Sequence, residues 1–115
     1  VKSKGLVPGL WFAPATCVAS SSIAKAHPDW LLRDVRGRPV RCGLTFPGHF
    51  LLALDFSHPE VQQHIAAVVK MLVEDWGFEY LKCDFLHCAA MPSPCRHDPR
   101  TSRAAALNTL MSIIR

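Results

Sequence analysis

The sequence predicts an α/β fold in which parallel strands are covered by amphipathic helices. Two observations lead to this prediction. First, three short runs are apolar on both faces, which is typical of strands buried inside a parallel sheet. Second, amphipathic helical patterns alternate with these runs, and the elements recur about every thirty residues, as βα units do.

The first strand is expected at residues 9–14, where Gly-Leu-Trp-Phe-Ala-Pro forms an apolar run between Gly9 and Pro14. A small hairpin is expected next, with residues 31–34 and 39–42 on either side of a turn at Gly37. The second buried strand is expected at residues 50–56 and contains Asp55 near its end.

The clearest helix follows this second strand. Ser57 is expected to cap it, with Pro59 in the first turn and Glu60 three residues after Ser57, the spacing of a capping box. Gly77 is expected to end the helix. Its apolar face recurs at helical spacing and consists of Val61, Ile65, Val68, Val69, Leu72, Val73 and Trp76.

The third strand is expected at residues 79–86, and it carries two charges inside an apolar run. Side chains alternate between the faces of a strand, so Lys82 and Asp84 are expected on one face and Leu81 and Cys83 on the other. A proline-rich loop through Pro99 and a final amphipathic helix at 101–114 complete the chain.

The chain has 115 residues, enough for one domain at most. A (β/α)8 barrel needs about 250 residues, so three strands with their helices make a partial barrel of about three βα units. The first five residues resemble the end of a helix and the last helix has no cap. We therefore expect residues 1–115 to be a fragment of a barrel domain whose native chain is longer.

The composition of the chain indicates which binding partners and which cellular compartment to expect. The net charge is +4, but the only cluster consists of Arg33, Arg36, Arg38 and Arg41 around the predicted turn. A solvated hairpin is favoured over a phosphate site, and no nucleic-acid partner is expected. No apolar run is long enough to span a membrane. Five cysteines, an odd number at irregular spacing, favour a reducing compartment, and we expect a cytoplasmic protein.

Lys82 and Asp84 have two possible roles. They form either a buried ion pair that fixes the register of the strands or a site in which Asp84 is a carboxylate nucleophile or acid, held ionised by the nearby ammonium group. Asp55 and Trp11 also lie near strand ends, where a barrel has its site, so both are candidate substrate contacts. Asp55 has a second possible role at the start of the following helix.

A cysteine- and histidine-rich stretch is weaker evidence for a metal. Cys83, Cys88, Cys95 and His97 lie within fifteen residues of one another, but no Cys-x-x-Cys pair is present, and structural zinc sites usually contain one. No metal and no cofactor are expected.

Four segments carry a resemblance to a known family. They are "GLVPGLWFAP", "AHPDWLLRDVRGRPV", "ALDFSHPEVQQHI" and "WGFEYLKCDFLHCAAMP", and they occur in this order over nearly the whole chain. In this order they resemble the melibiase-type α-galactosidases, glycoside hydrolase family 36.

The resemblance implies a retaining exo-glycosidase with a (β/α)8 catalytic barrel that removes terminal α-linked galactose from oligosaccharides. The chain would then cover barrel strands two to four. The family's Lys-x-Asp motif matches Lys82 and Asp84, which implies that Asp84 is the nucleophile and that Lys82 hydrogen-bonds sugar hydroxyls and keeps Asp84 ionised. Phe46 lies in the segment where the family usually has a sugar-facing tryptophan, and it is a candidate replacement.

The family's general acid/base follows an Arg-Ile-Gly-x-Asp pattern, which these 115 residues do not contain. The isolated chain is therefore expected to be inactive, and the full-length protein is a candidate homo-oligomer. Two alternatives stay open. One is a related specificity, either an α-N-acetylgalactosaminidase or a transglycosylase. The other is a non-catalytic carbohydrate-binding remnant, in which Lys-x-Asp is only a sugar contact or a core pair.

Overall fold

The computed structural model describes residues 2–45 and 48–115. These residues form two separate sheets with three α-helices. In chain order the elements are β1 (Gly9–Phe12), β2 (Thr16–Val18), α1 (Ser22–Ala26), β3 (Arg41–Thr45), β4 (His49–Ala53), α2 (Pro59–Lys70), β5 (Tyr80–Cys83) and α3 (Arg103–Ile114). Short 3-10 turns lie at Lys2–Lys4, Pro28–Trp30 and Leu86–Ala90. No helix among these residues is long and apolar enough to span a membrane.

The first sheet is a parallel pair formed by β1 and β5. Its register runs from Gly9 opposite Tyr80 to Phe12 opposite Cys83. The strands predicted at 9–14 and 79–86 are therefore present, although each is shorter than expected. Helix α2 precedes β5 in the chain, so the two parallel strands are linked through a helix as an α/β fold requires.

The second sheet is antiparallel and corrects the prediction for residues 50–56. Strand β4 lies between β2 and β3 and pairs antiparallel with both, so the expectation of three parallel strands is wrong. The physical reason is the short connection between β3 and β4, because only antiparallel neighbours can be joined by a tight turn. The hydrogen bonds on both edges of β4 are thereby taken by β2 and β3.

The predicted turn at Gly37 is present, but its flanks do not form a two-stranded ladder. Asp34 accepts hydrogen bonds from the backbone N–H groups of Arg36 and Arg38, and Gly37 has a φ of 76°. An isolated bridge joins Arg33 and Pro39. Beyond it the chain enters β3, which pairs with β4 instead of with residues 31–34.

Helix α2 begins one residue later than the sequence suggested. His58, not Ser57, is the N-cap residue, and its Nδ1 accepts a hydrogen bond from the backbone N–H of Glu60 at 3.2 Å. The helix continues into a π-helical turn over Met71–Asp75, and Gly77 ends it with a φ of 74° as predicted. Helix α3 agrees with the prediction to within two residues.

The core lies between the antiparallel sheet, α2, α3 and the 3-10 turn at Leu86–Ala90. It contains three consecutive buried residues of β4 together with side chains of the helices, among them Leu51, Leu52, Ala53, Val61, Ile65, Cys88, Ala106 and Leu110. The parallel pair contributes none of the fully buried residues, since burial along β1 and β5 only alternates between exposed and half-buried.

Candidate active site

The parallel pairing places an aromatic and two charged side chains on one face of β1 and β5. Trp11 lies opposite Lys82 in the register, and both belong to the exposed set of their strands. The N–H of Asp84 donates to the carbonyl oxygen of Phe12 at 2.9 Å, so the ladder extends past the end of β5. Asp84 is two residues after Lys82 and therefore projects on the same side.

The carboxylate of Asp84 accepts one hydrogen bond on each oxygen. Trp11 Nε1 donates to Oδ2 at 3.0 Å, and the backbone N–H of Phe85 donates to Oδ1 at 2.8 Å. Donors to the charged form stabilise it, so the Trp11 bond and then the Phe85 bond hold the pKa of Asp84 below its ordinary value. Asp84 is half-buried and is ionised at neutral pH.

Lys82 plays a smaller part at Asp84 than the sequence suggested. Its positive charge also lowers the pKa of Asp84, but less than the two hydrogen bonds do. Within residues 2–45 and 48–115, Lys82 makes no hydrogen bond or ion pair. Its side chain is exposed, so the alternative of a buried ion pair that fixes the register does not describe this site. The ammonium group is available for a ligand.

Phe85 lies two residues after β5 and has an unusual backbone conformation. Its φ of 53° and ψ of 32° are left-handed, and it is the one non-glycine residue with positive φ among those that the structure describes. Its ring meets the indole of Trp11 edge to face, with centroids 6.3 Å apart and planes at 87°. Phe85 thus contacts Asp84 through its backbone and Trp11 through its ring.

Trp11 is more than half exposed, at 54%. One edge of the indole is used by Asp84 and another surface by Phe85. Because the one indole N–H donates to Asp84, what Trp11 leaves exposed beside the carboxylate is an apolar aromatic surface. The arrangement brings Trp11, Lys82 and Asp84 together on one face.

Asp55 is separated from this group and is almost fully buried, at 1% exposure. Its Oδ1 accepts from the hydroxyl and the backbone N–H of Ser57, and its Oδ2 accepts from the backbone N–H of His97 at 2.6 Å. The guanidinium of Arg96 lies 3.8 Å away and is itself buried, which lowers the pKa of Arg96. Of the two roles left open for Asp55, this geometry matches the one at the helix start, extended to the loop before α3.

The candidate at Phe46 lies outside the described residues. Two cavities of the described residues lie away from the Asp84 face. One, of about 540 Å³, is lined by Ala19, Asp34, Arg38, Pro39, Arg41 and Leu52. The other, of about 340 Å³, lies beside it at the β3–β4 hairpin. Both are on the antiparallel sheet, and no lining residue belongs to β1 or β5.

One group of three potential metal ligands exists among the described residues: Asp29, His58 and Glu60. His58 Nδ1 accepts from the Glu60 N–H, so its Nε2 holds the proton and donates to Asp29 at 3.0 Å. A metal would need the lone pair of that same nitrogen. Trp30 Nε1 also donates to the carboxylate of Glu60 at 3.0 Å. The residues are satisfied by one another and do not fit a metal.

The cysteines weighed as a zinc module have separate partners. Cys88 Sγ donates to the carbonyl oxygen of Cys42 at 3.5 Å, and Cys95 Sγ donates to that of Asp34 at 3.7 Å. The ring of His97 packs against that of His58, with centroids 4.2 Å apart and planes tilted by 33°. All five thiols are free in the structure.

Two features of the site were missed at the level of sequence. The left-handed conformation of Phe85 has no signal in a residue of this type, because glycine or asparagine usually marks such a position. Strand β3 was also missed, since residues 39–42 were assigned to a hairpin with residues 31–34. Trp11 was found, but its hydrogen bond to Asp84 depends on the β1–β5 register.

Comparisons with known proteins identify the family of the chain. The sequence matches the Melibiase family over residues 1–115. It is 32% identical over 76 residues to alpha-galactosidase 2 of Pediococcus pentosaceus, covering 66% of this chain and 10% of the relative. It is 30% identical over 84 residues to the bifunctional alpha-galactosidase/sucrose kinase AgaSK of Mediterraneibacter gnavus, covering 73% of this chain and 8% of that relative.

Solved structures of an α-galactosidase from Thermus thermophilus, TtGalA, resemble the whole described fold. The complex with stachyose has a TM-score of 0.80 at 38% identity, covering 98% of this chain and 23% of that one. The complex with p-nitrophenyl α-D-galactopyranoside has a TM-score of 0.77 at 39% identity, covering 98% and 22%. The chain therefore spans about a tenth of its curated relatives and less than a quarter of these structures. It belongs to the Melibiase family, whose named relatives here are α-galactosidases.

Proposed function

We propose that residues 1–115 form part of the catalytic domain of a retaining exo-α-galactosidase, and that Asp84 is its nucleophile. The observation that carries this proposal is the ionised carboxylate of Asp84 at the carboxyl end of β5, with one donor on each oxygen and Lys82 and Trp11 on the same face. An ionised, oriented carboxylate next to an exposed aromatic surface is what covalent glycoside hydrolysis requires of its nucleophile.

The domain is proposed to be a (β/α)8 barrel of which this chain supplies two adjacent strands, β1 and β5. Parallel sheets are normally covered on both faces and paired at both edges, yet β1 and β5 contain no fully buried residue. Additional strands and helices of a barrel would cover them. Asp84 follows the carboxyl end of its strand, which is where barrel enzymes have their sites.

The reaction divides into two displacements. In the first, a carboxylate oxygen of Asp84 attacks the anomeric carbon and the bond to the leaving oxygen breaks, while a general acid protonates that oxygen. The intermediate is a galactosyl ester of Asp84. In the second, water attacks the same carbon, the conjugate base accepts its proton, and the Asp84 carboxylate is released. The donors from Trp11 and Phe85 keep Asp84 ionised before the first displacement and stabilise its carboxylate as the leaving group of the second.

The remaining roles follow from the chemistry of the side chains. The ammonium group of Lys82, which has no partner among the described residues, donates hydrogen bonds to sugar hydroxyls. Trp11 contributes an apolar surface to the sugar as well as its bond to Asp84. Asp55 is almost fully buried and both of its carboxylate oxygens accept hydrogen bonds from the protein, so we assign it to the fold instead of to the substrate.

A retaining enzyme needs a second carboxyl group about 5–5.5 Å from the first. The Arg-Ile-Gly-x-Asp pattern that would supply it is absent from the 115 residues. We therefore place the general acid/base in sequence outside this chain, and we expect the isolated chain not to hydrolyse galactosides.

The proposed substrates are oligosaccharides with a terminal α-linked galactose. Support comes from the TtGalA complexes with stachyose and with an aryl α-galactopyranoside. The chemistry assigned to Asp84 needs no cofactor.

The test uses the protein encoded by the complete reading frame, as wild type and as Asp84→Asn and Asp84→Gly, with Asp75→Asn as an exposed control. The wild type is expected to release galactose from p-nitrophenyl α-galactoside first as the α-anomer. Asp84→Asn should lower kcat by roughly a thousandfold or more, whereas Asp75→Asn should not. With Asp84→Gly, azide should attack the anomeric carbon from the vacated side, displace p-nitrophenolate and form β-galactosyl azide.

Three results would contradict the proposal: a β-anomer as first product, Asp84→Asn within tenfold of the wild type, or no turnover at all. Galactose binding without turnover would instead indicate a carbohydrate-binding remnant. A preference for N-acetylgalactosaminides, or sugar transfer in place of hydrolysis, would preserve the role of Asp84 and change only the specificity.

A further inference from the structure

Phe85 connects both hydrogen bonds on the Asp84 carboxylate. Its backbone N–H is the donor to Oδ1 at 2.8 Å. Its ring contacts the indole of Trp11, which is the donor to Oδ2 at 3.0 Å. One residue thus supplies one donor directly and supports the other through a ring contact.

The left-handed backbone at Phe85 is unfavourable for a residue that has a Cβ atom, so it persists only where the surroundings hold it. Two contacts do so. The carbonyl oxygen of Phe85 accepts from the N–H of Cys88 at 3.1 Å, which begins the following 3-10 turn. The ring also packs against strand β3 at Gly43, where an added Cβ would lie 3.3 Å from Cε1 of Phe85.

The contact with Gly43 explains why β3 matters to the site. A Cβ at this position would lie 3.2 Å from Cδ1 of Leu51 as well as 3.3 Å from the Phe85 ring. Either neighbour would have to shift, and the ring of Phe85 is in turn in contact with Trp11. The antiparallel sheet therefore reaches the Asp84 carboxylate through the ring of Phe85, although it contributes no polar group to it.

We propose that Phe85 is a positioning residue, whose left-handed backbone and ring together orient the Asp84 carboxylate and the Trp11 indole. The proposal rests on the assignment of Asp84 as nucleophile. Gly43 then affects the same geometry indirectly, through its contact with the ring of Phe85. The two donors on Asp84 then act as one unit, because a shift of Phe85 weakens both.

Three variants of the protein encoded by the complete reading frame separate backbone from ring. Phe85→Gly permits the left-handed backbone and removes the ring, and we expect kcat to fall about tenfold. Phe85→Val removes the ring and resists the backbone conformation, and we expect kcat to fall about a hundredfold. Gly43→Ala leaves Phe85 unchanged and shifts its ring. Gly9→Ala is the matched control, because its Cβ would be equally tight, 3.2 Å from Tyr80 Cδ1.

The diagnostic readout is the acid limb of the pH profile of kcat/KM, since loss of donors raises the pKa of Asp84. We expect this limb to move to higher pH in both Phe85 variants and, less, in Gly43→Ala, while KM changes little. Gly9→Ala should leave it in place. A merely structural Phe85 would lower the amount of folded protein without moving the limb, and an unmoved limb in folded Phe85→Gly and Phe85→Val would overturn the proposal.

A second measurement does not need activity. The ¹⁵N–¹H resonance of the Trp11 indole should titrate with Asp84 in the wild type, and Phe85→Gly should move the midpoint of that titration to higher pH. An unchanged midpoint would contradict the positioning role even if the protein proved to have no galactosidase activity. If the wild type is inactive while the midpoint moves, the proposed function fails and the positioning role is retained.

Discussion

Trp11 and Asp84 are joined by a 3.0 Å hydrogen bond between neighbouring parallel strands, from the indole Nε1 to Oδ2. This bond is the first cause of the low pKa of Asp84, ahead of the charge of Lys82. The lysine of a Lys-x-Asp motif thus need not be the main group that keeps its aspartate ionised. In this protein a neutral donor on the next strand contributes more.

Replacing Trp11 with phenylalanine should therefore raise the pKa of Asp84 and move the acid limb of kcat/KM to higher pH. We expect kcat/KM to fall roughly tenfold, the size expected for one hydrogen bond to a charged group. The measurement is a pH–rate profile of the protein encoded by the complete reading frame. Trp76→Phe, at an exposed tryptophan on the turn after α2, is the control. An unchanged limb in Trp11→Phe would show that the indole bond does not control ionisation.

Replacing Asp55 with asparagine should destabilise the fold. The asparagine amide has only one acceptor oxygen, so its NH₂ group faces a backbone N–H, which is also a donor. The buried guanidinium of Arg96 also loses the negative charge beside it. Loss of one partner of a buried, hydrogen-bonded charge pair costs about 3–5 kcal/mol. Urea unfolding measures this cost.

The control for Asp55 is Glu74→Gln, which removes an exposed pair whose atoms are 4.0 Å apart. It should change the free energy of unfolding by less than about 0.5 kcal/mol. If Asp55→Asn were as mild as this control, Asp55 would not be the structural centre that its hydrogen bonds indicate.

Asp29 should make stability depend on pH in the acid range. The hydrogen bond from His58 lowers the pKa of this carboxyl below its ordinary value of 3.8. A depressed pKa in the folded state stabilises the protein above the unfolded-state pKa, and that contribution is lost as the pH falls through the folded-state pKa. Asp29→Asn should therefore lower stability at pH 6 and have little effect well below pH 3.8.

Chemical unfolding at a series of pH values between 6 and 3 checks this prediction. Asp75→Asn, at an exposed carboxylate, supplies the baseline for a change of net charge alone. A difference between wild type and Asp29→Asn that stays constant over this range would show that the contact with His58 is not linked to ionisation.

The cysteines should differ strongly in their reaction with a thiol reagent. Burial raises the pKa of the thiols of Cys42 and Cys88, which disfavours the reactive thiolate, whereas Cys95 is exposed. Ellman's reagent at pH 8 should label Cys95 rapidly in the folded protein, and Cys42 and Cys88 only after unfolding. Cys95→Ser should remove the fast phase, and a fast phase that survived would contradict the assignment.

The elements that the sequence predicted well have a strong local signal. Helix α2 has an amphipathic pattern and a glycine at its end, and β5 combines an apolar run with the alternation of Lys82 and Asp84. The direction of β4 has no such signal. Leu51, Leu52 and Ala53 are all buried, so the run lacks alternation and resembles a strand of a parallel sheet, although both neighbours of β4 are antiparallel.

The candidate site divides in the same way. Lys82 and Asp84 were predicted because burying charged side chains in a strand costs free energy unless they pair or belong to a site. The bond from Trp11 depends on a pairing between distant segments, and the conformation of Phe85 depends on contacts with Gly43 and Trp11. Asp55 was correctly placed next to the start of α2, but its bond to His97 joins residues 42 positions apart and has no local pattern.

The separation of Trp11 and Asp84 by 73 residues also determines when the site forms. Pairing β1 with β5 closes a long loop, which costs conformational entropy. That cost falls once the antiparallel sheet and α2 have folded, because the flexible part of the loop is then shorter. Most of the core lies in that intervening unit, and none of the buried core residues lies in the parallel pair. Local opening of β1 can then separate the indole from the carboxylate while the core stays folded, so amide protons of β1 should exchange with solvent faster than those of β4.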